Sequence, residues 1–88
     1  MQHNTGYYIA LLIAIRIRPE RRDWELIIQL RREKLPRGFA YYVLMDAVEA
    51  LKASKSCNAQ QLSTLQVWLR ALPNDDATIR SRVESLAR

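Results

Sequence analysis

Apolar residues recur at three- and four-residue spacing along nearly the whole chain, and breaks near positions 18, 36, 56 and 73 divide the pattern. That period belongs to helices. Strands would need alternating apolar and polar residues with repeated turn signals, and the sequence has neither. The 88 residues hold one domain, 1–88, with 1–5 as a flexible tail. Each segment plus its turn takes roughly 17 to 20 residues, so two make a helical hairpin. The expected fold class is all-α: four to five antiparallel helices, either a helical-hairpin array or a compact bundle.

The first helix is expected from Gly6 to Ile17, capped by Asn4 or Thr5. Tyr8, Leu11, Leu12 and Ile15 form one apolar stripe, and Ile9, Ile13 and Ile17 form another. A helix apolar on two sides is either central or half covered by a partner. The second helix is expected from Pro19 to Lys34. Pro19 suits a first helical position, and Glu20 and Asp23 favour the positive end of the helix dipole. Leu35-Pro36-Arg37-Gly38 ends it. The third helix runs from Phe39 to Ser54 with two apolar lines, one through Ala40, Val43, Leu44, Ala47 and Leu51, the other through Tyr41, Met45 and Val48.

The fourth helix spans Ala59 to Ala71, opened by an Asn58/Gln61 capping box. The fifth spans Asp75 to Ala87, capped by Asn74 or Asp75, with Asp76 favouring the dipole. Leu12, Ile15, Ile27, Val43, Leu44, Ala47, Leu65 and Leu69 are the expected core.

The apolar run from Tyr7 to Ile15 is far shorter than the ~18–20 residues that cross a bilayer, and Arg16 and Arg18 close it. It has no basic leader and no small-residue cleavage site. Cys57 is the one cysteine and cannot close an intrachain disulfide, which points to a reducing, cytoplasmic setting with no membrane contact.

The formal net charge is +5. Segment 16–37 carries eight of the fourteen basic residues and four acidic ones, so nearly all of that excess lies there.

Catalysis needs a nucleophile with its base, paired acids or a metal. His3 is the single histidine and sits in the tail. Asp75 and Asp76 are neighbours, which places them about 100° apart on a helix and suits capping better than acid–base work. With two glycines, Gly6 and Gly38, there is no phosphate-binding loop, and no Cys/His spacing fits a metal. The expectation is a protein that is not an enzyme and holds no cofactor.

The stretch from Leu65 to Ala77, Leu-Gln-Val-Trp-Leu-Arg-Ala-Leu-Pro-Asn-Asp-Asp-Ala, resembles the end of one tetratricopeptide repeat and the start of the next. A second Leu-Pro junction, at Pro36, precedes the one at Pro73 by about one such repeat. Trp24, shortly after Pro19-Glu20, looks like the aromatic position of a repeat's first helix. Within that superfamily, Tyr41-Tyr42-Val43-Leu44, the Leu-rich fourth helix and the Pro-Asn-Asp junction resemble the small chaperones of type III secretion needle subunits. The resemblance covers about half the chain. It implies a concave groove that holds an amphipathic helix of a partner protein.

Seven aromatic residues and a two-sided first helix exceed what one small core should cover. Tyr8, Ile9, Tyr41, Tyr42 and Met45 are therefore expected to line an apolar groove, with Arg31, Arg32, Lys34 and Arg37 as its basic rim. The occupant would be an amphipathic helix of another protein or a second copy of this chain. The alternative is a nucleic-acid-binding protein that uses the Arg-rich segment 16–37, with Tyr41 and Tyr42 stacking on bases. Interleaved Glu20, Asp23, Glu25 and Glu33 weigh against it, as does the lack of a helix-turn-helix signature.

Overall fold

The computed structural model describes residues 5–30, 39–72 and 76–86. Among them are five helices and no strand: α1 (Thr5–Ile17), α2 (Asp23–Leu30), α3 (Phe39–Ala53), α4 (Ala59–Ala71) and α5 (Ala77–Ser85). The all-α expectation holds. Residues 1–4 of the expected tail, the expected caps at Asn4, Asn74 and Asp75, and the basic rim at Arg31, Arg32, Lys34 and Arg37 lie outside the described residues; Thr5, read as tail or cap, is the first residue of α1.

Local chemistry sets the described ends. Asn58 caps α4 with its side chain, which accepts the Gln61 N–H at 2.8 Å, while Gln61 Oε1 accepts the Asn58 N–H at 2.9 Å. The capping box is complete. The α5 cap is Asp76, not a residue before it. Its Oδ1 accepts the N–H groups of Thr78 at 2.8 Å and Ile79 at 3.4 Å, so the carboxylate that could have lain inside the first turn closes it instead.

The second helix also starts later than Pro19. Residues 19–22 form a tight turn, with Asp23, Trp24 and Glu25 donating to the carbonyls three residues back at 3.0, 3.3 and 3.1 Å. Asp23 Oδ2 accepts the Glu20 N–H at 2.8 Å, which satisfies a carboxylate that is buried.

At the end of α3, Lys55 sits in the left-handed region with φ 59°. Ser56 N–H reaches Leu51 O at 2.9 Å and Lys55 N–H reaches Lys52 O at 3.1 Å, the two bonds of a Schellman cap. Glycine takes this conformation without a Cβ clash. Lys55→Gly should therefore raise stability by about 0.5–1 kcal/mol in urea unfolding; a loss would show that the lysine stem holds the turn.

Side-chain bonds give the helix directions. Tyr42 of α3 bonds Asp76, Arg82 of α5 bonds Asp46 and Glu49, and Lys52 Nζ donates to Ser85 O at 2.6 Å. Later residues of α3 meet later residues of α5, so these two helices run the same way. Tyr41, near the start of α3, donates to Leu69 O near the end of α4 at 2.9 Å, so α3 and α4 are antiparallel. Buried Gln66 of α4 donates to Val83 O and Glu84 O, both at 3.1 Å, and fixes the end of α5. The clefts beside α2 pair early α1 with late α2 and late α1 with early α2. The order is two helical hairpins, α1–α2 and α3–α4, followed by α5. α1 and α5 both lie beside α3.

All eight expected core residues are buried, and Met45, Val48, Leu51, Ile79, Val83 and Leu86 join them.

Candidate functional site

The five expected groove residues are not brought together into one open groove. Met45 is 0% exposed and Tyr41 is 8% exposed. Tyr8 and Ile9 are half-buried and pack on the core. Tyr42 is at the surface, but its hydroxyl donates to the Asp76 carboxylate that caps α5. The cause is the place of α3. It packs against α1 and α5 and bonds to α4, so both of its apolar lines face neighbours, and the line read as outward is core.

Where α1, α3 and α5 meet, the surface is charged. Arg82 holds Asp46 at 2.6 Å and grips both oxygens of Glu49, and Arg16 reaches Asp46 from α1 at 3.6 Å. The hydrogen bond to Glu49 is the largest effect on the Arg82 pKa and pushes it up; burial opposes it, and the hydrogen bond to Asp46 adds to the rise. The sequence shows Asp46 and Glu49 on one line of a helix, but nothing in it announces a cation from a helix some thirty residues later.

Tyr42 and Asp76 shift each other in opposite directions. The Asp76 carboxylate accepting its proton raises the Tyr42 pKa, and that hydrogen bond, with the Thr78 N–H, lowers the Asp76 pKa. The sign for stability follows. Asp76 contributes above the pKa of an unfolded aspartate, and its contribution fades as pH falls through its depressed folded value. Tyr42 contributes below the pKa of an unfolded tyrosine, and its contribution fades as pH rises toward its elevated folded value. Tyr42→Phe should flatten both limbs of a stability–pH profile, with the larger change on the alkaline side. An unchanged alkaline limb would show that the hydroxyl proton does not stay with Tyr42.

Three of the exposed large apolar residues share one helix, α1, while Val67 of α4 and Tyr42 of α3 are exposed elsewhere. Tyr7 is 61% exposed, Ile17 74% and Ile13 38%, and Gly6, Ala10 and Ala14 are exposed with them. At 100° per residue these six lie within one continuous face of about 120°. Arg16 is the single charged residue of the helix, and it turns toward α3. Tyr7 also rests edge-on against Tyr8, with ring centroids 5.6 Å apart. Beside this face a cleft of about 120 Å³ opens between Tyr7, Tyr8 and Leu11 of α1 and Leu26, Gln29 and Leu30 of α2. A larger cleft of about 680 Å³ follows, with Leu11, Ala14, Ile15 and Leu26 among its walls and Arg18, Glu20, Arg22 and Glu25 at its edge. The sequence signal for this surface was the second apolar stripe of the first helix. Ile13 and Ile17 belong to the exposed face, and Ile9 does not.

Cys57 is buried in the loop after α3, and burial pushes its thiol up, away from the reactive thiolate. Among the described residues no group of three His, Cys, Asp or Glu side chains is placed to hold a metal, and no helix is long and apolar enough to cross a membrane. Compared with protein-family models, curated proteins and solved structures, the chain matches none.

Proposed function

We propose that this chain is a helical protein-binding module, an adaptor or chaperone, that takes an amphipathic helix on the exposed face of α1. The observation that carries the reading is that face: Tyr7, Ile13 and Ile17 point to solvent with no charge among them, while the other described large apolar residues, Tyr42 and Val67 apart, are buried or half-buried. Contiguous apolar patches of that kind mark interaction sites. The spacing suits a helix, because residues three and four apart meet the matching ridge of a partner helix.

The order of two hairpins and a following helix is the order a tetratricopeptide-like array would have, which supports an adaptor of that general kind. The strip across α3 that such an array would offer as its groove is bridged by Arg82, Asp46, Glu49 and Arg16. The neighbouring apolar face of α1 is the better seat. The nucleic-acid reading is weaker for a related reason. Arg16, Arg22, Arg70 and Arg82 face carboxylates of their own fold.

Ile13→Asp with Ile17→Asp tests the reading, because both side chains are exposed and the fold should survive. A tagged double variant should recover its specific protein from source cells at least tenfold less well than the wild-type bait, with nuclease treatment making no difference. Equal recovery by the two baits would remove α1 from the function. Recovery that nuclease abolishes would favour nucleic acid.

A further inference from the structure

We infer that the helix seated on this face is α1 of a second copy, packed antiparallel about a two-fold axis beside residue 12. The inference rests on the reading that the α1 face docks a helix, and it names the occupant. It comes from the order of residues on the face. Tyr7, Ala10, Ala14 and Ile17 have the a/d spacing of a heptad. They are also symmetric about position 12. An antiparallel copy sets Ala10 against the partner's Ala14, and Tyr7 against the partner's Ile17.

Each of these four residues therefore meets another exposed residue of the same face, as an isologous contact requires. The alanines meet in the middle, where small side chains let the backbones approach, and the large side chains meet at the ends. The partner's Ile17 arrives beside the cleft of about 120 Å³ that Tyr7, Leu11, Leu26 and Leu30 line, a space about the size of an aliphatic side chain. A foreign helix would have no need of this symmetry.

Charge selects the direction. A parallel pair through this face would place exposed Arg18 beside its own image. In the antiparallel pair the two Arg18 residues separate along the axis by about 18 Å, beyond the screening length near 8 Å at physiological salt. Area sets the strength. A helix face about 20 Å long buries no more than roughly 400–500 Å² per copy, against about 800 Å² per partner in a standard interface. The dimer should be weak, with a dissociation constant on the order of 10–100 µM.

Sedimentation equilibrium of the purified full chain, from about 5 to 500 µM, tests this. The wild type should move from monomer to dimer across that range. Ile17→Asp should raise the dissociation constant at least tenfold, and Val67→Asp, at an exposed apolar site on α4, should leave it unchanged. The direction is read by mixing a Tyr7→Cys chain with an Ile17→Cys chain, each also carrying Cys57→Ala, under mild oxidation. The mixed disulfide should dominate.

A chain that stays monomeric at 500 µM, or a dimer indifferent to Ile17→Asp, overturns the inference. So does a predominant disulfide between two Ile17→Cys chains, which would make the pairing parallel. A monomeric chain whose α1 face still recovers a different protein from cells would sink the second copy alone and leave the helix-docking reading standing.

Discussion

Leu69→Ala should destabilise the protein by about 2–5 kcal/mol in chemical denaturation, with the upper half of that range expected. Leu69 is 1% exposed in the core cluster. Its carbonyl accepts the Tyr41 hydroxyl at 2.9 Å and the Leu72 N–H at 3.2 Å, so the backbone behind the side chain is pinned from two directions. A cavity there cannot easily collapse, and the cost of a large-to-small change rises with the cavity that remains. A domain of this length has about 4–13 kcal/mol in total, so the substitution removes a large share of it. Val67→Ala is the control. Its side chain is two positions away on α4 but exposed, and the change should stay within about 0.5 kcal/mol of wild type. A Leu69→Ala effect no larger than that of the control would show that α4 turns a different face to the core.

The burial of Leu69 was legible in the sequence, and so was most of the fold. Local rules carried it. Asn58 and Gln61 announced the start of α4 from side chains three residues apart, and the start and end of that helix match the structure. The α3 stop was read to within a residue without any glycine, because the polar run Lys55-Ser56-Cys57-Asn58 ends the apolar period. The errors fell where two local solutions compete. Pro19 and Glu20 suit a first helical turn, but the Asp23 carboxylate captures the Glu20 N–H and makes a tight turn first. Asp75 and Asp76 are equivalent as caps until the position of α5 chooses one.

The candidate site was half legible, for a reason that lies in tertiary position. Two helices carried more apolar residues than one inward face needs. Periodicity cannot say which of them is central. The structure makes α3 central, so Met45 and Tyr41 vanish into the core, and leaves α1 at the edge, so Ile13 and Ile17 stay outside. An excess of apolar surface on a chain is thus readable from the sequence, but its address depends on how many neighbours each helix acquires. Long-range charge pairing is illegible in the same way. Asp46 and Glu49 could belong to any surface helix until Arg82 arrives from α5.

Arg82→Met should cost about 1–3 kcal/mol, the largest effect expected from any charged residue described here. Exposed ion pairs contribute about 0–1 kcal/mol, and this site differs from them in two respects. The Arg82 side chain is 27% exposed, with Asp46 and Glu49 at 37% and 39%. One guanidinium also serves both carboxylates, gripping Glu49 through two nitrogens. Without it the two acids, three residues apart on α3, repel each other, with Arg16 at 3.6 Å from Asp46 as their remaining partner in the strip. Methionine keeps much of the apolar stem, so the loss reports charge and hydrogen bonding more than packing. Arg82→Lys should fall between, because an ammonium supplies the charge without the planar fork. Arg70 makes a comparable two-pronged contact with Glu84 at 2.8 and 2.9 Å, but at 54% and 49% exposure, and Arg70→Met should cost less than about 1 kcal/mol. Salt separates the Coulombic part from the rest. At 1 M the screening length is about 3 Å, so part of the Arg82→Met loss should disappear there. A double-mutant cycle with Glu49→Gln should show coupling of at least about 0.5 kcal/mol. If Arg82→Met matches wild type and the cycle shows no coupling, the strip across α1, α3 and α5 adds nothing to stability, and apolar packing alone holds α5 beside α3.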